Sequence, residues 1–345
     1  MTTLTAETQV SRTPTMREVA ALAGVSIKTV SRVINQEPGV SPERSAKVRE
    51  AIGMLHYQHN TTASSLRRSD QRTATIGLLL DDVANPFSSA LHRAIEDIAR
   101  QHETLVLAAS SHEDAQREDE VVLALASRRV DGLIVVPVGP DRSSLLHVQR
   151  LGRPIVFVDR PAMGLEGDSV TVDNRAGAGV AIRHLAAHGH RQIAFLGDWH
   201  VIWTAAERYF GYVSALAAEG LRLESRLVQQ DLQSIEAAER ATSAMLLADN
   251  PPTALFTGQN LVTIGAIRAL QRLGAADRVA LVGFDDFLLA DLLQPRVSVI
   301  AQDPAALGRA AADLLFTRLD GKQAAAQHIV LPTQIIPRGS GEIRA

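Results

Sequence analysis

Residues 74–285 alternate short aliphatic, β-branched runs with amphipathic stretches of helical length, and this alternation restricts the fold more than any other feature of the chain. ATIGLLL leads to a helix expected near 88–101, ETLVLAA to one near 114–127, and GLIVVPV and PIVFVD follow. A second series begins at SVTVD with a helix expected over 174–188. IAFLG then leads to a helix over 204–219, a strand near 227–230 to one over 235–248, ALF to one over 260–273, and VALVGFD closes the series. Strands apolar on both faces need cover on both faces, and helical crossovers supply it, so the sheets should be parallel. So many strands exceed one small sheet and imply two α/β lobes. The break is expected near 161–167 and a return near 286–293. Ligands of open parallel sheets bind beyond the carboxyl ends of the strands, where two lobes would share a cleft. Residues at such ends are Asp81, Asp82, Asn85 and Phe87; Asp159 and Arg160; 198–203, including Trp199 and Trp203; Gln259 and Asn260; and Asp285.

The chain ahead of this core has a different period. In TMREVAALAGVSIKTVSRVINQ, Thr15 and Glu18 have capping-box spacing for a helix starting near Met16. Val19 and Leu22 are expected to supply its buried stripe, Gly24 to permit the turn, and Ser26 to cap a second helix ending near Asn35. On that helix Val30 and Val33 face inward. Lys28, Ser31, Arg32 and Asn35 fall within roughly 100° of one another on the other side, at about 100° per residue. Cations and short hydrogen-bonding groups on one face suit a DNA major groove and its phosphate rim; they also occur on ordinary solvated helices. After a Pro/Gly loop, Ser41 and Pro42 start a third helix, whose Val48, Ile52 and Leu55 should close a small core over Val19, Leu22, Val30 and Val33. Residues 60–70, NTTASSLRRSD, are polar apart from Ala63 and Leu66.

Charge follows the same division. Residues 1–70 carry nine Lys/Arg against six Asp/Glu, net +3, and the remainder 26 against 32, net −6. A basic head on an acidic body suits contact with nucleic acid at one end. There is no cysteine, which excludes disulfides, thiolate catalysis and Cys-ligated zinc. The first residues lack the apolar core of a signal peptide, and no run approaches the ~18 apolar residues that span a bilayer. A cytoplasmic protein without membrane contact is expected.

VAALAGVSIKTVSRVIN meets the pattern V-A-x-x-A-G-V-S-x-x-T-V-S-R-V-x-N at every fixed position, and so resembles the DNA-binding signature of the LacI/GalR family of bacterial transcription regulators. The resemblance implies a small all-α helix-turn-helix head, joined by a hinge helix to a two-lobe α/β core with parallel sheets, like periplasmic binding proteins. Thr- and Ser-rich residues 1–13 are expected to be a disordered tail; the resemblance gives the head over 14–59, the hinge over 60–72 and the core over 73–345. The first lobe would span about 73–161 and 290–323, the second about 162–289 and 324–341. Ile27, Lys28 and Arg32 would touch base edges, and Thr15, Ser26, Thr29, Ser31 and Asn35 would hold the backbone or the rim. Asn60, Ala63 and Leu66 would serve a minor-groove hinge, with Leu66 as the wedge. In the cleft, Arg208 and Asp285 match family residues that bind effector hydroxyls, with Asp82, Phe87, Asp159, Arg160, Trp203 and Gln259 around them. The implied protein is a homodimeric repressor of a pseudo-palindromic duplex operator, switched by a sugar-like effector, with no cofactor, no metal and no catalysis. The sequence departs from the family pattern at Ser88, at Gln259-Asn260 and at His59.

Two other classes fit parts of the chain. A solute-binding module would account for the core alone. An enzyme would need more than Gly177–Gly179, which follow a strand but lack a third glycine, or His184, His188 and His190, which lack a completing acid for a metal.

Overall fold

The computed structural model describes residues 14–34, 37–57, 72–161, 163–322 and 324–345. The chain divides into two units, Met1–Thr73 and Ala74–Ala345. The expectations for the tail over 1–13 and for Asn35, Asn60, Ala63 and Leu66 lie outside the described residues.

In the first unit, α1 (Met16–Ala23) starts at a complete capping box: Thr15 N donates to Glu18 Oε2 at 2.6 Å, and Glu18 N to Thr15 Oγ1 at 3.4 Å. Gly24 ends the helix in the left-handed region at φ 64°, which a side chain would resist. At the start of α2 (Ile27–Ile34), Thr29 N donates to Ser26 Oγ at 3.1 Å. Ser41 caps α3 (Pro42–Met54), with proline in its first turn. Val19, Ala20, Ala23, Val30, Val48 and Ala51 form the core, with Val33, Ile52 and Leu55 against it. Leu22 does not join them and is 51% exposed. The buried arc of α1 runs through positions 19, 23 and 20, and at about 100° per residue Leu22 lies about 110° from its centre. Val19 is buried as expected, and Ala20 and Ala23 take the place in the inward stripe expected of Leu22.

The second unit contains two six-stranded sheets. The first has β1 (Thr75–Leu80), β2 (Leu105–Ser110), β3 (Leu133–Val135), β4 (Ile155–Val158), β5 (Asp168–Val172) and β11 (His328–Leu331), in the order β11-β5-β4-β3-β1-β2 and parallel throughout. The second has β6 (Ile193–Leu196), β7 (Val228–Gln229), β8 (Ala254–Thr257), β9 (Ala280–Phe284), β10 (Ser298–Ala301) and β12 (Gln334–Ile336), in the order β12-β10-β9-β8-β6-β7, with only β12 antiparallel.

Helices α4 (Pro86–Gln101), α5 (Ala115–Ser127), α6 (Ser143–Arg150) and α11 (Pro304–Leu319) belong to the first lobe, and α7 (Asn174–Ala187), α8 (Trp203–Ala218), α9 (Ile235–Leu246) and α10 (Asn260–Arg272) to the second. Buried clusters fill both faces of each sheet, around Ile76, Leu91 and Leu307 and around Leu79, Val122 and Phe157 in the first lobe. Phe195, Tyr212 and Phe284 lead one cluster in the second lobe, Leu255, Val262 and Val299 the other. Gly308 lets α11 press on α4, where an added Cβ would stand 2.7 Å from the Leu91 carbonyl oxygen.

The lobe boundaries expected from sequence need correction. The chain changes sheet between β5 and α7, between β10 and α11, and between β11 and β12. Residues 163–172 and 324–331 thus belong to the first lobe, and 290–301 to the second. The Pro/Gly stretch 161–167 is not a domain break. It links β4 to its own parallel neighbour, with Val156 opposite Asp168. Helix α6 was not anticipated between GLIVVPV and PIVFVD, yet parallel β3 and β4 require a crossover there.

Candidate functional site

The head presents one outward helix face. Ile27 and Lys28 are exposed and Ser31 and Arg32 half-buried, while Val30 is buried opposite. Arg32 Nε lies 3.8 Å from Glu37 Oε2, a loose pair that a stronger anion can replace. Thr15 and Ser26 are exposed at the two helix starts with their hydroxyls engaged in capping, Thr15 with Glu18 and Ser26 with Thr29. Two helix N-termini and two cations on a compact three-helix scaffold are a phosphate- and base-reading arrangement.

The cleft lies at the carboxyl ends of both sheets, a cavity of about 570 Å³. Its first-lobe wall carries Asp81, Asp82, Asn85, Phe87, His112, Glu113, Val136, Asp159 and Arg160. The second lobe adds Asp198, Trp199, Ile202, Thr204, Arg208, Gln233, Gln259, Leu261, Asp285 and Gln302. The lobes touch directly where Asn260 Nδ2 donates to Asn85 Oδ1 at 3.0 Å.

Arg208, only 5% exposed, is held from three sides. Its Nε donates to Asn174 Oδ1 at 2.8 Å, its Nη1 to the Gly258 carbonyl at 2.7 Å and to Asp285 Oδ2 at 3.3 Å, and its Cζ lies 3.8 Å from the Phe284 ring centroid. Nη2 has no protein partner among the described residues. Asp285 also accepts from Gln302 Nε2. Such a fixed guanidinium beside a carboxylate can grip adjacent hydroxyls, one accepting and one donating. In the other wall Arg160 Nη1 and Nη2 reach Glu113 at 2.9 and 2.5 Å, with Nε 3.7 Å from Asp159 Oδ2. Burial pushes the Asp159 carboxyl up to about 6, against the opposing pull of Arg160 and Arg208. Burial raises Asp198 as well; it accepts from Gln259 Nε2 at 2.8 Å.

Asp82, Phe87, Asp159, Arg160, Gln259 and Asp285 all line this cleft, as their positions at strand ends suggested, and so does Arg208, which the family resemblance put there. Trp203 does not. It is the first residue of α8, and its neighbours Ile202 and Thr204 face the cavity instead; Trp199 supplies the aromatic surface. The sequence reading missed His112 and Glu113 after β2, Gln233 beyond β7 and Gln302 after β10. The strand-end rule, applied to every strand, would have found them.

The features that favoured other classes have structural explanations. A Cβ on Gly177 would come within 2.7 Å of Thr333 Oγ1, so that glycine serves close packing of α7 on its sheet. His184 bonds Glu342, His188 the His184 carbonyl, and His190 both Thr253 and the Ile343 carbonyl. Among the described residues no group of three or more His, Asp or Glu is placed to hold a metal ion, and no helix is long and apolar enough to cross a membrane.

Comparison with known proteins agrees with this division. Residues 15–60 match the model of bacterial regulatory proteins of the lacI family, and residues 182–341 that of the periplasmic binding protein-like domain. The chain belongs to the lacI family of bacterial regulatory proteins: it is a DNA-binding transcriptional regulator, not an enzyme. It is 31% identical over 311 residues to the HTH-type transcriptional regulator GalR of Escherichia coli K12, covering 89% of this chain and 90% of that one. A lac repressor dimer bound to operator and the anti-inducer ONPF is similar in structure, with TM-score 0.84 and 26% identity over 96% of this chain and 99% of that one. The regulator CelR in complex with cellobiose gives TM-score 0.71 and 29% identity over 95% and 99%.

Proposed function

We propose that this chain is a cytoplasmic repressor that binds a pseudo-palindromic duplex operator as a homodimer and is switched by a sugar-like effector held between the lobes. The observation that carries the reading is the pairing, in one chain, of a helix-turn-helix with both helix starts capped and a cleft built around Arg208 and Asp285. The similar structures of a lac repressor dimer bound to operator and of CelR in complex with cellobiose support it. Ile27, Lys28 and Arg32 read base edges; Thr15, Ser26, Thr29, Ser31 and Asn35 hold phosphates or the rim; Asn60, Ala63 and Leu66 serve the hinge. The homodimer has an apolar surface to use: β2 is a sheet edge with Leu105 and Leu107 exposed.

In the cleft, Arg208 and Asp285 take adjacent hydroxyls, Asp82, Asp159 and Gln259 take others, and Phe87 and Trp199 pack on the ring. Arg160 shapes the wall through Glu113 and Asp159. No cofactor or metal is needed. The three strand-to-helix or strand-to-strand crossings between lobes are the hinges, and effector binding changes the lobe angle and thereby the spacing of the paired 60–72 segments. Coupling of this kind is typically about 1–3 kcal/mol.

Selection of duplexes from a random pool by the full chain tests the DNA half of this reading. A two-fold symmetric sequence should emerge, and Arg32→Ala should relax preference at one position per half-site by about 1–3 kcal/mol. A chain that enriches no sequence would contradict it.

A further inference from the structure

An arginine lining a ligand cleft ordinarily grips phosphate or carboxylate through two parallel N–H bonds. Two arginines line this cleft, and neither offers that fork. Arg160, 7% exposed, gives both terminal nitrogens to Glu113, adds a bond from Nη1 to the Pro137 carbonyl at 3.2 Å, and has an Nε that is buried without a hydrogen-bond partner. Arg208 commits Nε and Nη1 to Asn174, Gly258 and Asp285, leaving Nη2 alone.

The rest of the lining leans the other way. Asp81, Asp82, Glu113, Asp159, Asp198 and Asp285 face the cavity against those two cations. An entering anion would meet excess negative charge, and to engage Arg160 it would have to displace Glu113 and strand that carboxylate. An uncharged polyol meets acceptors for its hydroxyl hydrogens. Gln302 is one of them: its amide nitrogen is given to Asp285, which fixes Oε1 as the remaining acceptor, and Oε1 is buried with no partner.

The backbone delivers Glu113 to this position deliberately. His112 and Glu113 both adopt left-handed φ, 54° and 57°, which residues with side chains rarely adopt. Ser111 Oγ donates to the Leu80 carbonyl at 3.1 Å and His112 N to the Asp81 carbonyl at 2.7 Å, tying the turn to the end of β1. Asp114 then caps α5.

We propose that Glu113 sets the charge selectivity of the cleft: by occupying both terminal nitrogens of Arg160 it makes the effector an uncharged polyol and rejects phosphorylated and carboxylated sugars. This refines the sugar-effector reading and rests on it.

Calorimetry on the full chain with matched sets tests the assignment: glucose, glucose 6-phosphate and glucuronate; galactose, galactose 1-phosphate and galacturonate; ribose and ribose 5-phosphate; and cellobiose. A neutral sugar should bind, with its charged counterpart about 100-fold weaker or more. Glu113→Gln, checked for folding by thermal melting, should narrow that gap about tenfold, because Arg160 is freed of its counter-charge. A phosphate or acid bound by the unaltered chain as tightly as its neutral parent overturns the proposal, as does an unchanged gap in folded Glu113→Gln; either result leaves the sugar reading standing. If Glu113→Gln does not fold, the unaltered chain's own preference decides. Binding of no sugar at all overturns the sugar reading and this assignment with it.

Discussion

The two lobes place the same device at the same point of their sheets and complete it differently. Asp159 follows β4 and Asp285 follows β9, both in the left-handed region at φ 68° and 70°. Each donates its backbone N–H to the strand beyond, Asp159 to Val170 and Asp285 to Ile300. Each sits beside a buried arginine. In the first lobe charges answer charges: Glu113 holds Arg160, and nearby Glu118 lies 3.4 Å from Arg142. In the second lobe Arg208 is held mainly by an amide oxygen, a carbonyl and an aromatic face, and Nη2 has no protein partner among the described residues. We propose that the repeated geometry serves two ends: the first-lobe arginine is committed to the wall, and the second-lobe arginine and Asp285 meet the effector.

The largest effect that would test this contrast is on stability. Arg160→Ala leaves Glu113 and Asp159 beside an unfilled site, and loss of one partner of a buried pair costs on the order of 3–5 kcal/mol. Urea unfolding should show it, and a loss below 1 kcal/mol, the range of exposed pairs, would place Arg160 outside the structural role.

Asp285→Asn should act on binding instead. It removes the charge facing Arg208 and one acceptor oxygen, weakening effector binding by about 1–3 kcal/mol, while the unfolding midpoint falls less than in Arg160→Ala because Asn174, the Gly258 carbonyl and the Phe284 ring still hold Arg208. An unchanged effector titration would separate Asp285 from the ligand.

The smallest effect is a pH dependence. Burial pushes Glu118 from the ordinary 4.5 up to about 7. The folded state then binds more protons than the unfolded state between those values, so this group makes stability fall as pH rises through the window. The stability of Glu118→Gln relative to the unaltered chain should accordingly rise between pH 5 and pH 8 in urea titrations. A relative stability that falls or stays flat would remove Glu118 from the buried, charge-answering wall.

How much of this was legible beforehand depended on the range of the signal. The caps at Thr15, Ser26 and Ser41 and the turn at Gly24 are local chemistry, and they appear where the sequence places them. Strand-helix alternation identified two lobes for the same reason. Lobe membership was not legible, because β5 and β11 look like any apolar strand until they pair across about 160 residues, Val170 opposite Ile329. Leu22 was misplaced because hydrophobicity outweighed helical phase, and the short, half-polar SSLLHVQR of α6 gave too little periodicity to read. In the cleft, acids and arginines after strands were found, but Glu113 was passed over as an ordinary charge before a helix. Its meaning depends on Arg160, 47 residues further along the chain.

One titration addresses the link between the cleft and the operator. Operator affinity of the full chain is measured with and without a saturating sugar identified by calorimetry, alongside Arg208→Ala under the same conditions. The sugar should shift operator affinity by about 5- to 150-fold in the unaltered chain, and Arg208→Ala should keep the basal affinity but show no shift. An equal shift in both proteins, or no shift in the unaltered chain, would contradict that link.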